Sequence, residues 1–177
     1  MKPYITPEVS ATGKKVLAFQ CEGIEASALW SALNGRQIVA YAMPFEHSLQ
    51  AAWLFWLILS SGEMLEFSAA CTQIVDWQEV GSLNIRLIGR ATDAPAASHQ
   101  HMATVAVPAI HLQALERLVY EDTDVVSECG LLLRGEDGNE VVIAAGIPPG
   151  SVSISAAFNK GPFEPQFAIS ACRRECL

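Results

Sequence analysis

Nine consecutive apolar residues, Ala51 to Leu59 (AAWLFWLIL), constrain the fold of this chain more than any other stretch. A transmembrane helix needs about 20 such residues to cross a hydrocarbon core of roughly 30 Å. The run stops after nine residues, where Ser60, Ser61 and Gly62 follow. It is therefore too short to cross a bilayer as a helix, and we expect it to be buried inside the protein.

The residues that follow this run favour a buried strand over a buried helix. Gly62 can adopt a positive φ at little cost, and apolar and polar side chains alternate from Glu63 to Ala69. Two strand-like segments joined by a short glycine-containing loop are typical of a β-hairpin. We predict that Trp53–Leu59 is a central strand of an antiparallel sheet, and that Glu63–Ala69 is a more peripheral strand with one wet face.

Length and composition predict one domain over residues 1–177. Hydrophobic residues make up 51% of the chain and charged residues 17%, which is a core-rich balance. The formal net charge of −8 argues against nucleic-acid binding, because affinity for a phosphate backbone rests on Lys and Arg. It also disfavours an anionic membrane surface, whereas a basic protein partner is electrostatically compatible. The alternative is that the acidity serves solubility alone.

The cysteines predict a reducing, cytoplasmic environment. Their number is odd, they are widely spaced, and the chain is too long to need disulfide bonds for stability. The first residues lack the apolar segment of a secretory signal. Cys172 and Cys176 lie four apart in ACRREC, but two cysteines are too few for a structural zinc site. We interpret this segment as a frayed, reduced tail, and we expect that neither a metal nor a disulfide holds the fold together.

A second hairpin is predicted in the C-terminal half. Leu131–Leu133 and Val141–Ala144 flank the sequence GEDGN, in which Asp137 and Gly138 are typical turn residues. A stretch of small and polar residues from 89 to 100 is interpreted as a linker or a long loop.

The two sides of that stretch are organised alike, each with a hairpin near its middle. This likeness suggests an internal duplication of residues of about 16–90 and 100–170. The alternative is that any β-rich chain supplies hairpins at comparable intervals.

Two segments are candidate helices. Ile24–Asn34 has apolar residues at helical spacing and is followed by Gly35, although the pair Asn34-Gly35 is also a good hairpin turn. Ala109–Val119 keeps its leucines on one helical face, and we predict a short helix there, although its last residues favour strand. Further strands are predicted at Leu83–Ile88, His101–Val107 and Val152–Ala156. These elements define an α+β fold: a mainly antiparallel β-sheet built from hairpins and meanders, with one or two short helices.

The sequence CTQIVDWQEVG contains the candidate binding site. It places Trp77 between the acids Asp76 and Glu79, at a connection between two predicted strands. Aromatic residues at the centre of an interface often carry most of its binding energy, and the two acids could orient a basic or amide-bearing group. The alternative is that Trp77 caps the end of the core.

His99 and His101 in SHQHMATV would face the same side of a strand, where two imidazoles can chelate one metal ion. Further ligands would have to come from His111, His47 or Glu46. The alternative is a pair of solvent-facing histidines, and we predict no metal and no cofactor. The acids of YEDTD, from Tyr120 to Asp124, and of the turn at 136–137 are either an anionic face that steers a cationic partner or solvated loops.

No catalytic or nucleotide-binding signature is present. The preferred hypothesis is a non-catalytic binding protein, immunity-like or antitoxin-like by analogy of size, charge and missing motifs. The alternative is a hydrolase-type enzyme without a linear motif, in which His99, His101 or His47 acts with Glu79 or Asp76. Convergence of those histidines and acids in one pocket would favour the enzyme.

Overall fold

The structure, a computed structural model, describes residues 2–74, 78–89 and 102–177. The fold is mostly β, with 58% of residues in strands and 7% in helices. The strands in chain order are β1 (Glu8–Val9), β2 (Lys15–Leu17), β3 (Gln20–Glu22), β4 (Gln37–Pro44), β5 (Phe55–Leu59), β6 (Met64–Gln73), β7 (Glu79–Ile88), β8 (Met102–Glu121), β9 (Val125–Gly135), β10 (Glu140–Ala145), β11 (Val152–Ala156) and β12 (Cys172–Cys176). A short helix, α1 (Leu29–Leu33), follows one turn of 3-10 helix at Ala26–Ala28, and another such turn lies at Ile169–Ala171.

These strands form one large, curled, mixed sheet in the order β1-β2-β9-β8-β4-β5-β6-β7-β3. Strand β10 pairs with β9 and β11, and β12 pairs with β8. The β2–β9 and β3–β7 pairs are parallel, and the other pairs are antiparallel. The predicted α+β fold of antiparallel hairpins is therefore wrong.

The main cause of that error is β8. The predicted helix Ala109–Val119 is part of this strand of 20 residues. Its pairing with β9 shifts register after Leu112 and again after Leu118. The first shift adds Gln113 to β8, so Leu112 and Leu115 both face the main core although they are three residues apart. Leu118 lies on the opposite face, in a second apolar cluster, because both faces of the sheet are covered there. The resulting leucine pattern imitates the spacing of a helix.

The two parallel strands are the second cause. Strands β2 and β3 contain three residues each, and their pairing with β9 and β7 comes from tertiary packing. A strand this short has too few residues for an alternating pattern, so no sequence signal predicted it.

The hairpin around Gly62 is confirmed, with two corrections. Phe55–Leu59 lies between β4 and β6, and Gly62 has a φ of 85°. Trp53, however, precedes the strand and is 67% exposed. Strand β6 is not peripheral, because it lies between β5 and β7, and Glu66 on its expected wet face is only 4% exposed. The cost of burying its carboxylate is offset by Trp56 Nε1, which donates to it over 2.9 Å, and by Arg86, which pairs with it over 2.6 Å.

Other predicted elements are confirmed. Helix α1 lies inside the predicted helical segment, and Gly35 after it has a φ of 71°, so the rival hairpin turn is wrong. Asp137 and Gly138 connect β9 to β10, and Leu131–Leu133 pairs with Val141–Ile143. The predicted strands at 83–88 and 152–156 are found in β7 and as β11, and residues 102–107 of the third lie in β8.

The predicted C-terminal tail is a strand, which corrects that interpretation. In β12, Cys172 lies opposite Tyr120 and Cys176 opposite Glu116. Phe167 before it stacks on the ring of Tyr120 at a centroid distance of 3.8 Å. All five cysteines are free thiols.

The core lies inside the curl of the sheet, where β6 and β7 pack against β9, β10 and β11. The approach is close at Gly81, where a Cβ atom would lie 2.7 Å from the Cβ of Ala145. Ser127 Oγ donates to the carbonyl of Gly81 over 2.6 Å and so joins the two layers. The duplication of residues 16–90 and 100–170 stays a prediction. In the described ranges, no helix combines the length and the apolar character that crossing a membrane requires.

Candidate functional site

Of the three predicted binding residues, the structure describes Glu79. It is the first residue of β7, and it is exposed. Asp76 and Trp77 lie outside the described residues, as do His99 and His101. The described residues on either side of Asp76 and Trp77 are Ile74 and Gln78. The backbone amide of Ile74 donates to the carbonyl of Gln78 over 2.9 Å. Glu79 therefore begins β7 directly after the residue that accepts this hydrogen bond.

Glu79 lines an open cleft of about 500 Å³ over the β6–β7 hairpin. We call it the Glu79 cleft. Its wall includes side chains from both strands, the loop before β11 and the indole of Trp53. The residues that line it with Glu79 include Lys2, Trp53, Ser68, Cys71, Asn84 and Gly150.

Asn84 gives the Glu79 cleft a rigid polar floor. Asn84 is 2% exposed, and its side chain forms hydrogen bonds with three other residues of the protein. Gln20 Nε2 donates to its Oδ1 over 2.9 Å, and its Nδ2 donates to Lys2 O and to Ser68 Oγ over 3.3 Å each. A buried amide with several partners is held in one orientation, so the floor is fixed before any ligand arrives.

Glu79 and Cys71 interact directly across the β6–β7 pair. Burial raises the pKa of the Cys71 thiol, and the charge of the Glu79 carboxylate and a hydrogen bond to it raise this pKa further. The thiol therefore stays protonated near neutral pH and is a poor nucleophile.

Gln166 holds the backbone that carries Glu79. Its Nε2 donates to the carbonyl of Glu79 over 2.8 Å, and its Oε1 accepts from the amide of Gly81 over 2.6 Å. Its own amide donates to the carbonyl of Ala145 over 2.7 Å. One glutamine thus replaces a neighbouring strand at the start of β7, and the position of Glu79 is set by the C-terminal segment.

Trp53 forms the exposed aromatic side of the cleft. Its backbone amide donates to His47 Nδ1 over 3.3 Å, and the two rings meet edge to face at 5.9 Å between centroids. These two contacts with His47 help to hold Trp53 in place. No local pattern in the sequence distinguishes Trp53, because it is part of the apolar run that predicts the central strand.

A second hollow, of about 370 Å³, has His47 in its wall. It is lined by Pro44, Phe45, Glu46 and His47, and Phe45 is 69% exposed. This hollow also combines an aromatic ring with an acid, but it lacks the buried amide found in the Glu79 cleft.

The histidines of the described residues do not assemble with the predicted acids. His47 contacts Trp53 and does not line the Glu79 cleft. His111 lies in β8 opposite Gln37, with 3.4 Å between its Nδ1 and the amide nitrogen of that glutamine. Over residues 2–74, 78–89 and 102–177, no three His, Cys, Asp or Glu side chains are placed to hold a metal ion.

The acidic segment Tyr120–Asp124 spans the end of β8 and the turn before β9, and its charge is partly neutralised. Glu121 pairs with Lys14 at 2.7 Å and with Arg173 at 3.1 Å, and hydrogen bonds from these cations lower the pKa of its carboxyl. Asp122 accepts from the amide of Thr123, and that bond lowers the pKa of its carboxyl. Two of the three acids there therefore serve local structure.

This chain matches no protein-family model, no curated protein and no solved structure.

Proposed function

We propose that this protein is a non-catalytic binding protein, and that the Glu79 cleft receives a basic side chain of a protein partner. The observation that carries the proposal is the exposed indole of Trp53 on a cleft that also contains the carboxylate of Glu79. An aromatic face and a carboxylate together attract a Lys or Arg side chain, through the ring quadrupole and through charge.

The surroundings of the pair support this proposal. An exposed Trp beside a cleft is typical of interaction sites, because Trp often contributes a large share of binding energy. Ser68 on the floor is a polar group that can face the main chain of a bound segment, and Asn84 holds its hydroxyl in place from below. Lys2 at the cleft can pair with a carbonyl or a carboxylate of the same partner.

The chemistry of the cleft favours binding over catalysis. Its thiol, Cys71, has a raised pKa, and no described histidine lines it with Glu79. The hydrolase hypothesis depends on His99, His101 and Asp76, which lie outside the described residues, and it remains the alternative.

The partner we propose is a basic protein, because the chain carries a net charge of −8. Immunity proteins and antitoxins that cover basic toxins remain an analogy of size and charge. A cytoplasmic location belongs to the same proposal and fits the five free thiols. Trp77 and Asp76, close to Glu79 in sequence, are proposed to extend the contact surface.

A fluorescence anisotropy titration tests this function. The probes are two labelled peptides of equal length, one with Lys and Arg between small neutral residues and one with Glu in their place. We expect the basic peptide to bind, and added salt to weaken its binding by screening. Trp53→Ala should lower the affinity on the order of tenfold or more, and Glu79→Gln should lower it less.

Phe45→Ala and Glu46→Gln are the matched controls, because they remove an equally exposed ring and an acid from the second hollow. Both should retain the affinity of the wild type. Equal binding of the two peptides, or an affinity that Trp53→Ala leaves unchanged, would contradict the proposal. A loss in Phe45→Ala alone would assign the site to the second hollow.

A further inference from the structure

Two thiols, one in β9 and one in β12, lie in contact, and neither lines the Glu79 cleft. The Sγ atoms of Cys129 in β9 and Cys172 in β12 are 3.7 Å apart. Both strands are neighbours of β8, since Tyr120 lies opposite Cys172 on one side and opposite Ser127 on the other.

A local irregularity of β9 helps to bring the two sulfurs together. Along β8, Leu118 lies opposite Gly130 and Val119 lies opposite Glu128, so Cys129 between them has no partner residue. A residue left unpaired in this way can turn its side chain out of the regular alternation of the strand. Its thiol reaches the carbonyl of Leu118 at 3.6 Å and the sulfur of Cys172.

We propose that Cys129 and Cys172 are a reversible disulfide site, oxidised by a hydroperoxide and reduced again by a dithiol. The sulfurs are already in van der Waals contact, and a bond requires them to approach to about 2 Å. Cys172 can supply that movement, because it is the first residue of a short strand of five residues and is half-buried. Cys129 is 2% exposed and lies in the core.

The order of reaction follows from exposure. Cys172, the more accessible thiol, reacts first: its thiolate attacks one oxygen of hydrogen peroxide, an S–O bond forms, the O–O bond breaks, and hydroxide leaves. Cys129 then attacks the sulfenic sulfur of Cys172. The S–S bond forms, the S–O bond breaks, and the released oxygen takes up the thiol proton as water. Over both steps, two thiols lose two electrons and one peroxide becomes two waters.

The hydrogen bond between the two thiols agrees with this order, because Cys129 donates it and Cys172 accepts it. A hydrogen bond from the Cys129 thiol lowers the pKa of Cys172, and the same bond together with burial raises the pKa of Cys129. Cys172 is therefore the better thiolate, and Cys129 keeps its proton until the second step.

The bond would fasten the last strand to the core. Phe163, Phe167 and Ile169, just before β12, pack on the apolar cluster that contains Cys129. A link between residues 43 positions apart restricts the unfolded chain and stabilises the folded one. In a reducing compartment such a bond is transient and signals oxidation.

The test oxidises the reduced full-length protein with hydrogen peroxide, alkylates the remaining thiols with iodoacetamide and measures the intact mass. We expect three alkylated cysteines, since two of the five are consumed. Proteolysis without reductant should yield one linked pair of peptides, containing Cys129 and Cys172, which dithiothreitol separates. The midpoint of thermal unfolding should rise on oxidation.

Three variants separate the roles. Cys172→Ser should slow peroxide-driven thiol loss by about tenfold or more, because it removes the better thiolate. Cys129→Ser should instead accumulate a sulfenic acid at Cys172, which dimedone traps. Cys176→Ser is the matched control, since Cys176 is exposed on the same strand, and its oxidation should follow the wild type.

Several results would overturn the proposal. These are a linked peptide pair that contains any other cysteine, dimers on a non-reducing gel, or sulfinic acid at Cys172 without a disulfide. Thiol loss in Cys172→Ser as fast as in the wild type would also overturn it. Because Cys172 is half-buried at the end of the chain, this variant keeps the test valid if Cys129→Ser does not fold.

Discussion

The β6–β7 and β9–β10 hairpins are both antiparallel and buried, but they differ in the polarity of their buried side chains. In the β9–β10 hairpin, the paired segments Leu131–Leu133 and Val141–Ile143 contain only buried apolar residues. The β6–β7 hairpin is as deeply buried but contains the buried polar residues Glu66, Thr72, Ser82 and Asn84. Polar groups in a core are costly unless they are paired, and such exceptions often mark functional sites.

The difference suggests a division of roles between the hairpins. Apolar pairs such as Leu133–Val141 contribute stability in the β9–β10 hairpin. In the β6–β7 hairpin, Asn84 and its partners form the floor of the Glu79 cleft. These buried polar residues therefore shape a candidate binding surface. The predictions below test this division, beginning with the largest expected effect on stability.

Leu133→Ala should lower the free energy of unfolding by about 2–5 kcal/mol, because it leaves a cavity in a fully buried position. Urea denaturation followed by circular dichroism measures this loss. The matched change in the β6–β7 hairpin is Ser82→Ala. The hydroxyl of Ser82 is buried with no hydrogen-bond partner in the described structure, so its removal should be neutral or slightly stabilising. Equal losses in the two variants would contradict the division.

Glu66→Gln should lower the free energy of unfolding by about 2–3 kcal/mol, because it removes a buried charge and leaves Arg86 with its weaker partner Glu22. Glu63→Gln is the matched control, since Glu63 pairs with Arg36 near the surface at 3.1 Å. That change should cost less than about 1 kcal/mol. If Glu66→Gln were as mild as the control, the polar groups of the β6–β7 hairpin would contribute little to folding.

Stability should fall at alkaline pH because of Cys21 in β3, the strand beside β7. Burial, followed by the charges of Glu128 and Glu25, raises the pKa of this thiol from 9.0 to about 11. The unfolded chain therefore loses the proton first, so the contribution is complete below pH 9 and is lost as the pH rises to about 11. Thermal melts across this range should fall more steeply for the wild type than for Cys21→Ala. Parallel curves would contradict the assignment.

Trp53→Ala should change the free energy of unfolding by less than about 0.5 kcal/mol, because the ring is 67% exposed. Trp56→Ala, three residues later, removes a ring that is 2% exposed and should cost about 3–5 kcal/mol. Denaturant melts of the two variants measure the contrast. A large loss in Trp53→Ala would place the ring in the core and remove it from the Glu79 cleft.

The sequence predicts local structure well where one element has one simple pattern. Gly62 and the pair Asp137-Gly138 marked their turns, because only a few residues adopt a positive φ without strain. The pattern failed in β8, where one bulge and the burial of leucines on both faces of the sheet give a helical spacing. It also failed for β2 and β3, which are too short to show any alternation.

Most of the residues that line the Glu79 cleft could not be predicted from the sequence. The sequence predicts a binding role for Glu79 from its position near Trp77; Glu79 lines a cleft, and its role in binding stays a prediction. Trp53, Asn84 and Lys2 join it from distant parts of the chain, and only the folded sheet brings them together. Within the apolar run, no local signal separates Trp53, which is exposed, from Trp56, which is buried.

Chemical-shift mapping tests the central claim most directly. The ¹⁵N-labelled full chain is titrated with an acetylated, lysine-containing peptide, and amide and indole shifts are followed by NMR. We expect the largest changes at the indole of Trp53, in β6 from Ser68 to Cys71 and in β7 from Glu79 to Asn84, with β9 and β10 unchanged. Changes centred on the β9–β10 hairpin, or none at saturating peptide, would contradict the claim that the Glu79 cleft binds a basic side chain.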